Sequence, residues 1–319
     1  MQIDKIMNEK TVCVALPVFN GEKYIDKAIQ SLLLQDYKNI RIFIRDDASD
    51  DDTPNICKKY SEKYENIFFD QNDVNLGGQD NLLKILNDID SDYFLWASQD
   101  DFWESKFISS LVKILDDNPQ HSLAFCQTRM ISKEKNYIIK LTGRNLLNKL
   151  SSYKLVTALL LPTRHLRYLK TNLVIHGLVR TQVMRDIFLN LIGVANHDRI
   201  IVLFTILNGT WGYLDQTLYN RNKDTGATHR EQKKEDQIML AQKGAFVPFI
   251  SAYKMYVGVY KAEHGSFLLK AYIYLVIPLY VIVNYTLSAK YYASLFLYSV
   301  LPKKYFFKIR RFYRIFFKN

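Results

Sequence analysis

The sequence predicts an α/β fold in which helices flank a mostly parallel, Rossmann-like sheet. Strand-like apolar runs alternate with helix-like periodic segments through residues 11–126, and polar clusters follow directly after several of the runs. Such alternation is typical of parallel sheets that are covered on both faces. With 319 residues, 48% of them hydrophobic, the chain is long enough to bury such a core.

The first half of the chain supplies five predicted strands and four predicted helices. Short apolar or β-branched runs predict the strands, at 12–18, 40–45, 66–69, 92–97 and 121–126. Apolar residues spaced three or four apart predict the helices, over 22–35, 54–63, 79–89 and 104–117. Thr53 is predicted to cap the second helix, because Thr is a good N-cap and Pro54 suits the first turn.

Beyond residue 126 the periodic pattern is weaker. The stretch 130–170 is irregular and rich in Lys and Arg, which is typical of an insertion or acceptor loop. Two further helices and one strand are predicted, at 181–192, 198–208 and 211–219. We expect one domain over residues 1–229, with halves of about 11–126 and 127–229, and a helical extension over 230–319.

The extension is predicted to contact a membrane. Residues 271–289 carry no charge over 19 positions, close to the ~20 residues of a spanning helix, and the apolar segment continues to 301. Residues 303–319 carry seven basic residues, several aromatics and no acidic residue, which favours anionic lipid. A buried helical pair that closes the domain is the alternative for the apolar run. The net charge of +11 does not indicate a nucleic-acid partner, because no binding module is evident.

The N-terminus and the cysteines favour a cytoplasmic location. The first residues lack the apolar core of a secretory signal. The three cysteines are widely spaced and form no CxxC, so we expect buried thiols rather than a zinc cluster or disulfides. Together with the extension, this predicts a protein at the cytoplasmic side of the inner (plasma) membrane, peripheral or with a C-terminal membrane segment.

Polar side chains follow three of the predicted strands. Asn20 comes after the first strand, Asp46 and Asp47 after the second, and Asp100 and Asp101 after the fourth. Ligands of open α/β sheets bind beyond the carboxyl ends of the strands. An Asp at such a turn either caps the following helix or accepts hydrogen bonds from a base or ribose.

Two pairs of adjacent residues, Asp100–Asp101 and His197–Asp198, indicate metal binding and acid–base catalysis. Adjacent carboxylates such as Asp100 and Asp101 are costly after an apolar strand unless they are solvated or bind a cation, and Mg²⁺ takes oxygen ligands and bridges to phosphates. His197 and Asp198 open a predicted helix. Asp198 is either an N-cap or a general base that deprotonates an attacking hydroxyl.

Four segments, in order, resemble glycosyltransferase family 2, the inverting enzymes of the GT-A fold, and in particular rhamnosyltransferase-like bacterial members. They are VALPVFNGEKYIDKAIQSLLLQDYKNIRIFIRDDASDDDT, the run Asn75-Leu76-Gly77-Gly78, DYFLWASQDDFWESKF and NHDRIIVLFTILNGTWGYLDQTLYNRN. The resemblance covers roughly residues 11–222. It implies transfer of a sugar from a UDP- or dTDP-linked donor to a glycan or lipid-linked glycan, in cell-surface polysaccharide or lipopolysaccharide synthesis.

The resemblance also implies roles for individual residues. Asp47 would contact the base, supported by Asp46, and the remaining nucleotide-sugar contacts would come from Pro17, Phe19, Asn20, Asn75, Gly77 and Arg221. Asp100 and Asp101 would hold the ribose, the diphosphate and a divalent metal, Mg²⁺ or Mn²⁺. Asp198 would be the catalytic base, with His197 beside it, and Trp103 would brace the acidic loop.

Two departures from the family pattern leave alternatives open. Ser98 stands where the pattern has the first Asp of DQDD, and the family's YRxH segment reads Tyr219-Asn220-Arg221-Asn222. A catalytically degenerate protein of the same fold, which binds nucleotide sugars or glycans, is therefore the second reading. A nucleotidyltransferase is less favoured, because Asn20-Gly21-Glu22 is not a glycine-rich basic phosphate loop.

Overall fold

The computed structural model describes residues 10–132, 137–139, 171–191 and 197–223, together with residues 259, 267–268 and 270–279. Most of the irregular stretch 130–170, most of the extension 230–319 and all of the basic tail 303–319 lie outside these residues. The described residues form an α/β structure, which confirms the predicted class.

Within the described residues, nine strands form one mixed sheet. The strands are β1 Val12–Val18, β2 Ile40–Asp46, β3 Ile67–Gln71, β4 Tyr93–Trp96, β5 Phe102–Trp103, β6 His121–Ile131, β7 Tyr137–Ile139, β8 Leu178–Arg180 and β9 Thr210–Asn222. The helices are α1 Ile25–Leu33, α2 Thr53–Lys63, α3 Gly78–Asp88, α4 Phe107–Asp117, α5 Thr181–Leu191 and α6 His197–Leu207, and a short 3-10 helix spans Thr171–His176.

The strand order places the chain's polar turns at one edge of the sheet. The order is β3-β2-β1-β4-β8-β6-β9-β5, with β7 paired to β6. Strands β1 to β4 are parallel to one another, and β8 is antiparallel to its neighbours β4 and β6. Strand β9 runs parallel to β6, and β5 runs antiparallel to β9. The carboxyl ends of β1, β2 and β4 therefore meet along the same edge.

Apolar side chains pack on both faces of this sheet. Helices α1 and α4 cover one face, and α3, α5 and α6 cover the other. The alternating apolar residues of the parallel strands contribute to both layers, which is why these strands are apolar on both sides. All three cysteines are buried and unpaired, as predicted.

The structure differs from the prediction where strands are short or polar. Strands β5, β7 and β8 have two or three residues, too few for a period to be recognised. Strand β6 runs on to Ile131, beyond the predicted end at 126, because it pairs with the long strand β9. The predicted cap Thr53 is wrong: the residue before the helix is Asp52, and the Thr53 hydroxyl has another partner, described below.

Part of the extension packs on the domain. Residues 270–279 are helical, and Ile273 and Ile277 lie in the same apolar layer as α5 and α6. Leu275 and Leu279 on this helix are 74% and 49% exposed. Within the part of the chain that the structure describes, we find no helix that is both long and apolar enough to cross a membrane.

Candidate active site

Three loops meet where β1, β2 and β4 end. The loop after β1 starts at Phe19, whose backbone N–H donates to Gln99 Oε1 at 2.8 Å, while Gln99 Nε2 donates to the Phe19 carbonyl oxygen at 2.9 Å. Pro17 lies in β1 beyond the point where the β1–β4 pairing stops, at Ala15 and Trp96. Pro17 still pairs with Arg45 of β2, but it has no partner on the β4 side, and such a position suits Pro because it has no N–H to donate. Gln99 thus joins the first loop to the acidic turn.

The first and second loops are joined by side-chain to backbone hydrogen bonds. Asn20 has a φ of +48°, a conformation that Asn tolerates better than most residues. In this conformation its backbone N–H donates to Ser49 Oγ at 2.9 Å, and its Oδ1 accepts from the Asp50 N–H at 3.1 Å. The Gly21 N–H donates to Thr53 Oγ1 at 2.8 Å. Thr53 therefore anchors this junction instead of capping α2.

Asp46 is fully buried and holds the second loop in place. Its Oδ2 accepts from the Ser49 N–H at 2.9 Å and from Gln71 Nε2 at 3.0 Å, and its Oδ1 accepts from Ser49 Oγ at 2.5 Å. A buried carboxylate needs such donors to offset the loss of water. Asp46 therefore stabilises the turn, and its predicted place in a nucleotide-sugar site stays a prediction.

Asp47 organises the segment that contains Asn75 and Gly77. Its Oδ1 accepts from the Leu76 N–H at 2.8 Å and its Oδ2 accepts from the Gly77 N–H at 2.8 Å. Gly77 has a φ of +84°, which favours glycine, and its N–H also donates to Asn75 Oδ1 at 2.9 Å. Asp47 also accepts from Asn72 Nδ2 at 2.9 Å and is 1% exposed. The predicted contact of Asp47 with a base stays a prediction.

The acidic turn after β4 presents its two carboxylates differently. Asp100 is partly exposed, and its Oδ1 accepts from Ser98 Oγ at 2.6 Å. Asp101 is 2% exposed. Its Oδ1 accepts from the Asn222 N–H at 2.9 Å, and its Oδ2 accepts from the Tyr219 hydroxyl.

Burial perturbs the ionisation of both partners in this contact. Loss of solvent and the neighbouring Asp100 carboxylate raise the pKa of Asp101 to about 7, against the opposing effects of the Tyr219 hydroxyl, the Arg221 charge and the Asn222 N–H. Burial, followed by the Asp101 charge, raises the pKa of Tyr219 well above its ordinary value. Arg221 is thus close enough to the acidic turn to act on it electrostatically.

Aromatic rings surround the Asp101–Tyr219 contact. The Tyr219 ring stacks on Trp103 at a centroid distance of 6.0 Å and lies 5.5 Å from the His176 ring. His176 Nδ1 is 3.3 Å from the carbonyl oxygen of Trp96, at the end of β4. Trp103 is 3% exposed and packs against both Tyr219 and Phe107, whose rings also contact each other. The predicted role of Trp103 in bracing the acidic loop stays a prediction.

Asp198 belongs to the first turn of α6, as predicted, but the side chains of His197 and Asp198 lie outside the described residues. Only two residues separate α6 from β9, and Trp211 Nε1 donates to Thr205 Oγ1 at 3.0 Å. The C-terminal end of α6 therefore lies next to the start of β9. The base role of Asp198 stays a prediction.

The donor set fits a divalent ion only in part. Asp100 and Ser98 offer oxygen atoms of the kind that Mg²⁺ and Mn²⁺ bind. Over the described ranges, no group of three or more His, Cys, Asp or Glu side chains could hold a metal ion. Any ion at this turn would therefore need further ligands, such as phosphate oxygens and water.

Three residues of this site were not among those predicted from the sequence. Gln99, His176 and Asn222 carry no acidic or metal-binding signal, and their contacts depend on pairing between distant segments. Gln99 had one available signal, its position inside the SQDD run directly before the two candidate carboxylates.

The sequence of this chain matches a known protein family. The model of the family described as "Glycosyl transferase family 2" matches residues 13–186. An uncharacterized glycosyltransferase of Rickettsia typhi is 32% identical over 134 residues, which are 40% of this chain and 40% of the relative. The dTDP-rhamnosyl transferase RfbG of Shigella flexneri is 32% identical over 105 residues, 31% of this chain and 36% of that protein. This chain thus spans less than half the length of these relatives.

A solved structure has the same fold at low sequence identity. The crystal structure of S. aureus TarS 1–349 covers 84% of this chain and 71% of its own, with a TM-score of 0.57 and 16% identity. The complex of TarS 1–349 with UDP-GlcNAc gives a TM-score of 0.56 at 17% identity, over 84% of this chain and 72% of that one. The likeness supports the predicted GT-A type fold. On the family match and the fold together, the chain belongs to glycosyl transferase family 2.

Proposed function

We propose that the chain is an inverting glycosyltransferase that moves a sugar from a nucleotide-diphospho-sugar to a hydroxyl group of a glycan. The observation that carries the proposal is the junction of the loops after β1, β2 and β4, which Gln99 and Asn20 join at the carboxyl edge of the sheet. Membership of glycosyl transferase family 2 supports it. So do the crystal structures of TarS 1–349 in complex with UDP and with UDP-GlcNAc.

In this proposal the junction holds the donor. Phe19 and Asn20 line the nucleotide pocket, Asp46 and Asp47 shape its far side, and Asp100 faces the diphosphate. Asp100 and Ser98 would hold a Mg²⁺ or Mn²⁺ ion, which, when bound, would offset the negative charge of the departing diphosphate. Arg221 supplies a positive charge near the same group.

Transfer requires a base on the acceptor side. Asp198 removes the proton from the acceptor hydroxyl as its oxygen attacks the anomeric carbon, on the face opposite the diphosphate. The new carbon–oxygen bond forms as the bond to the diphosphate breaks, so the configuration inverts. The likeness of residues 196–222 to the corresponding segment of glycosyltransferase family 2 supports this role, and Asp198 lies in the first turn of α6.

The relatives suggest which donors to test first. RfbG is named a dTDP-rhamnosyl transferase, so we propose dTDP-rhamnose as the first donor and UDP-GlcNAc as the second. The acceptor that we propose is a glycan or lipid-linked glycan of bacterial surface polysaccharide or lipopolysaccharide synthesis.

Donor turnover with matched Asp variants tests the proposal. We expect release of labelled sugar from at least one nucleotide sugar of a UDP and dTDP panel, with the product of inverted configuration. Asp198→Asn should keep donor affinity but lose roughly 10²–10⁴-fold in turnover, the usual contribution of a general base. Asp186→Asn, on the exposed face of α5, is the control and should retain activity. Equal turnover in the two variants would remove Asp198 from the mechanism.

Ser98 favours the second candidate function, a non-catalytic binder of nucleotide sugars or glycans. A neutral side chain at this position removes one carboxylate from the turn and leaves Asp100 with a hydroxyl partner. This candidate predicts that donor binds and that no sugar is hydrolysed or transferred with any donor of the panel. Measured turnover with one donor would eliminate it.

We further propose that residues 1–229 are the transferase domain and that the extension 230–319 holds it at the cytoplasmic face of the inner membrane. The exposed side chains Phe267, Leu268, Leu275 and Leu279 support an apolar contact, and the basic tail 303–319 supports attraction to anionic lipid. Truncation near residue 264 is a poor test, because Ile273 and Ile277 belong to the core.

Flotation with liposomes tests the membrane contact. The double variant Leu275→Glu, Leu279→Glu and a truncation after residue 302 should each float less with anionic vesicles. Leu34→Glu, at a 72% exposed leucine next to α1, is the control. Unchanged flotation of both variants would contradict the proposed membrane contact.

A further inference from the structure

We propose that Asp101 is a positioning residue that fastens the acidic turn to the end of β9, while Asp100 is the carboxylate that the turn offers to the donor. The assignment of Asp100 rests on the proposed function. The assignment of Asp101 rests on contacts within the fold, and the two parts can be tested separately.

The contacts of Asp101 join segments that are far apart in the chain. Its two oxygens accept hydrogen bonds from the Tyr219 hydroxyl and from the Asn222 N–H, at 2.9 Å for the latter. The Asp101 N–H itself donates to the Ser98 carbonyl oxygen at 3.2 Å, which closes the turn. Asp101 is 2% exposed and Tyr219 is 2% exposed, so the connection is enclosed by protein.

Neighbouring contacts reinforce the same connection. The Glu104 N–H donates to the Leu218 carbonyl oxygen at 2.9 Å, and Asn220 Nδ2 donates to Glu104 Oε1 at 3.0 Å. The Tyr219 ring packs against Trp103, which follows Asp101 by two positions. Residues 218–222 at the end of β9 are therefore held to residues 101–104 by several separate contacts.

Arg221 gives this connection a functional consequence. It lies between two residues that Asp101 binds, and its charge lowers the pKa of the Asp101 carboxyl, so it is close to the acidic turn. Fixing Tyr219 and Asn222 fixes the backbone of Arg221 between them. Asp101 thereby sets where the cation stands relative to Asp100, which is what binding of one diphosphate by both groups requires.

The same contacts make Asp101 a poor metal ligand. Mg²⁺ and Mn²⁺ at phosphate sites keep several water ligands and bind carboxylates that solvent can reach. An ion at Asp101 would have to reach a buried oxygen that already accepts a hydrogen bond from β9. Asp100, one position earlier, is partly exposed on the same turn.

Hydrogen exchange tests the positioning role without any ligand. In the intact protein we expect the amides of residues 218–223 to exchange about tenfold faster in Asp101→Ala and in Tyr219→Phe, since one lost hydrogen bond changes local opening by about that factor. Asp101→Asn can still accept from the Asn222 N–H and donate to the Tyr219 oxygen, so it should restore protection. Asp100→Asn should exchange like the unmodified protein.

Nucleotide binding tests the division of labour between the two carboxylates. Calorimetry with UDP and dTDP, with and without Mn²⁺, should show that Asp100→Asn loses the Mn²⁺-dependent gain in affinity. Asp101→Asn should retain that gain within about threefold, the change expected from a weakened neutral hydrogen bond.

Two results would overturn the inference. One is unchanged exchange at residues 218–223 in both Asp101→Ala and Tyr219→Phe. The other is a loss of the Mn²⁺-dependent affinity in Asp101→Asn as large as in Asp100→Asn. Failure of the proposed function gives a different result: the unmodified protein binds neither nucleotide, and the exchange experiment still decides the role of Asp101.

Discussion

The bridge between Gln99 and Phe19 gives a quantitative prediction about how the site is assembled. Two hydrogen bonds, of 2.8 and 2.9 Å, satisfy the backbone N–H and carbonyl of Phe19. Each such bond contributes about 1 kcal/mol net, so Gln99→Ala should lower the free energy of unfolding by about 2 kcal/mol. It should also weaken nucleotide binding, because the first loop loses its attachment to the acidic turn.

Gly21 provides an independent way to break the same bridge. A Cβ atom at Gly21 would lie 2.7 Å from Gln99 Oε1 and 2.8 Å from its Cδ. These distances are too short for non-bonded atoms, so Gly21→Ala must push the Gln99 amide away from Phe19 and cost the same ~2 kcal/mol. In a Gln99→Ala background the obstruction is gone. The double variant should therefore lose about 2 kcal/mol rather than about 4, a coupling of about 2 kcal/mol.

Urea unfolding followed by tryptophan fluorescence measures this cycle. Gly78→Ala is the matched control, because a Cβ atom there meets no atom within 4 Å, and its effect should add to that of Gln99→Ala. If the effects of Gly21→Ala and Gln99→Ala add within about 0.5 kcal/mol, the two residues are independent, and Gly21→Ala does not act by breaking the hydrogen bonds between Gln99 and Phe19.

Three further predictions follow from buried groups. Asp47→Ala leaves the N–H groups of Leu76 and Gly77 without their acceptor and should lower the free energy of unfolding by about 3 kcal/mol. A change below about 1 kcal/mol in urea unfolding would contradict the role of Asp47 as their acceptor. Gly77→Ala forces a φ of +84° on a residue with a Cβ atom and should cost about 1–2 kcal/mol in the same assay, so a stabilised variant would argue against this backbone conformation. Burial, as the largest cause, raises the pKa of the Cys57 and Cys126 thiols to about 12 and also raises the pKa of the Cys13 thiol. Ellman's reagent at pH 8 should therefore label no thiol until urea unfolds the protein, and rapid labelling of the native protein would show that the thiols are not buried.

The parts of the fold that the sequence predicted are those with a recognisable local pattern. Strands β1, β2 and β4 are short apolar runs that end at polar turns, and their parallel pairing brings those turns to one edge. The predicted membrane contact, the base role of Asp198 and the metal role of Asp100 stay predictions, whereas the contacts of Asp101 favour a positioning role over its predicted metal role. For Asp198 the structure adds only its place in the first turn of α6.

The rest of the site depends on contacts between distant segments, which a local pattern does not contain. Nothing in the sequence around Asp101 indicates that Tyr219 and Asn222 bind both of its oxygens. Thr53 satisfies every sequence criterion for a helix cap, yet its hydroxyl accepts from Gly21 because the first loop approaches it there. Short strands such as β8 form because neighbours pair with them, and three residues have no detectable period.

Photoaffinity labelling with 5-azido-UDP, mapped by mass spectrometry with and without competing dTDP, tests most directly where the nucleotide binds. The carboxyl edge of the sheet should be labelled, in peptides that contain Phe19, Asp47 or Asp100, and competition should remove the label. The opposite edge has a polar cavity of about 330 Å³ lined by Lys10, Asp92 and Arg185. Competed labelling confined to that cavity would contradict the account.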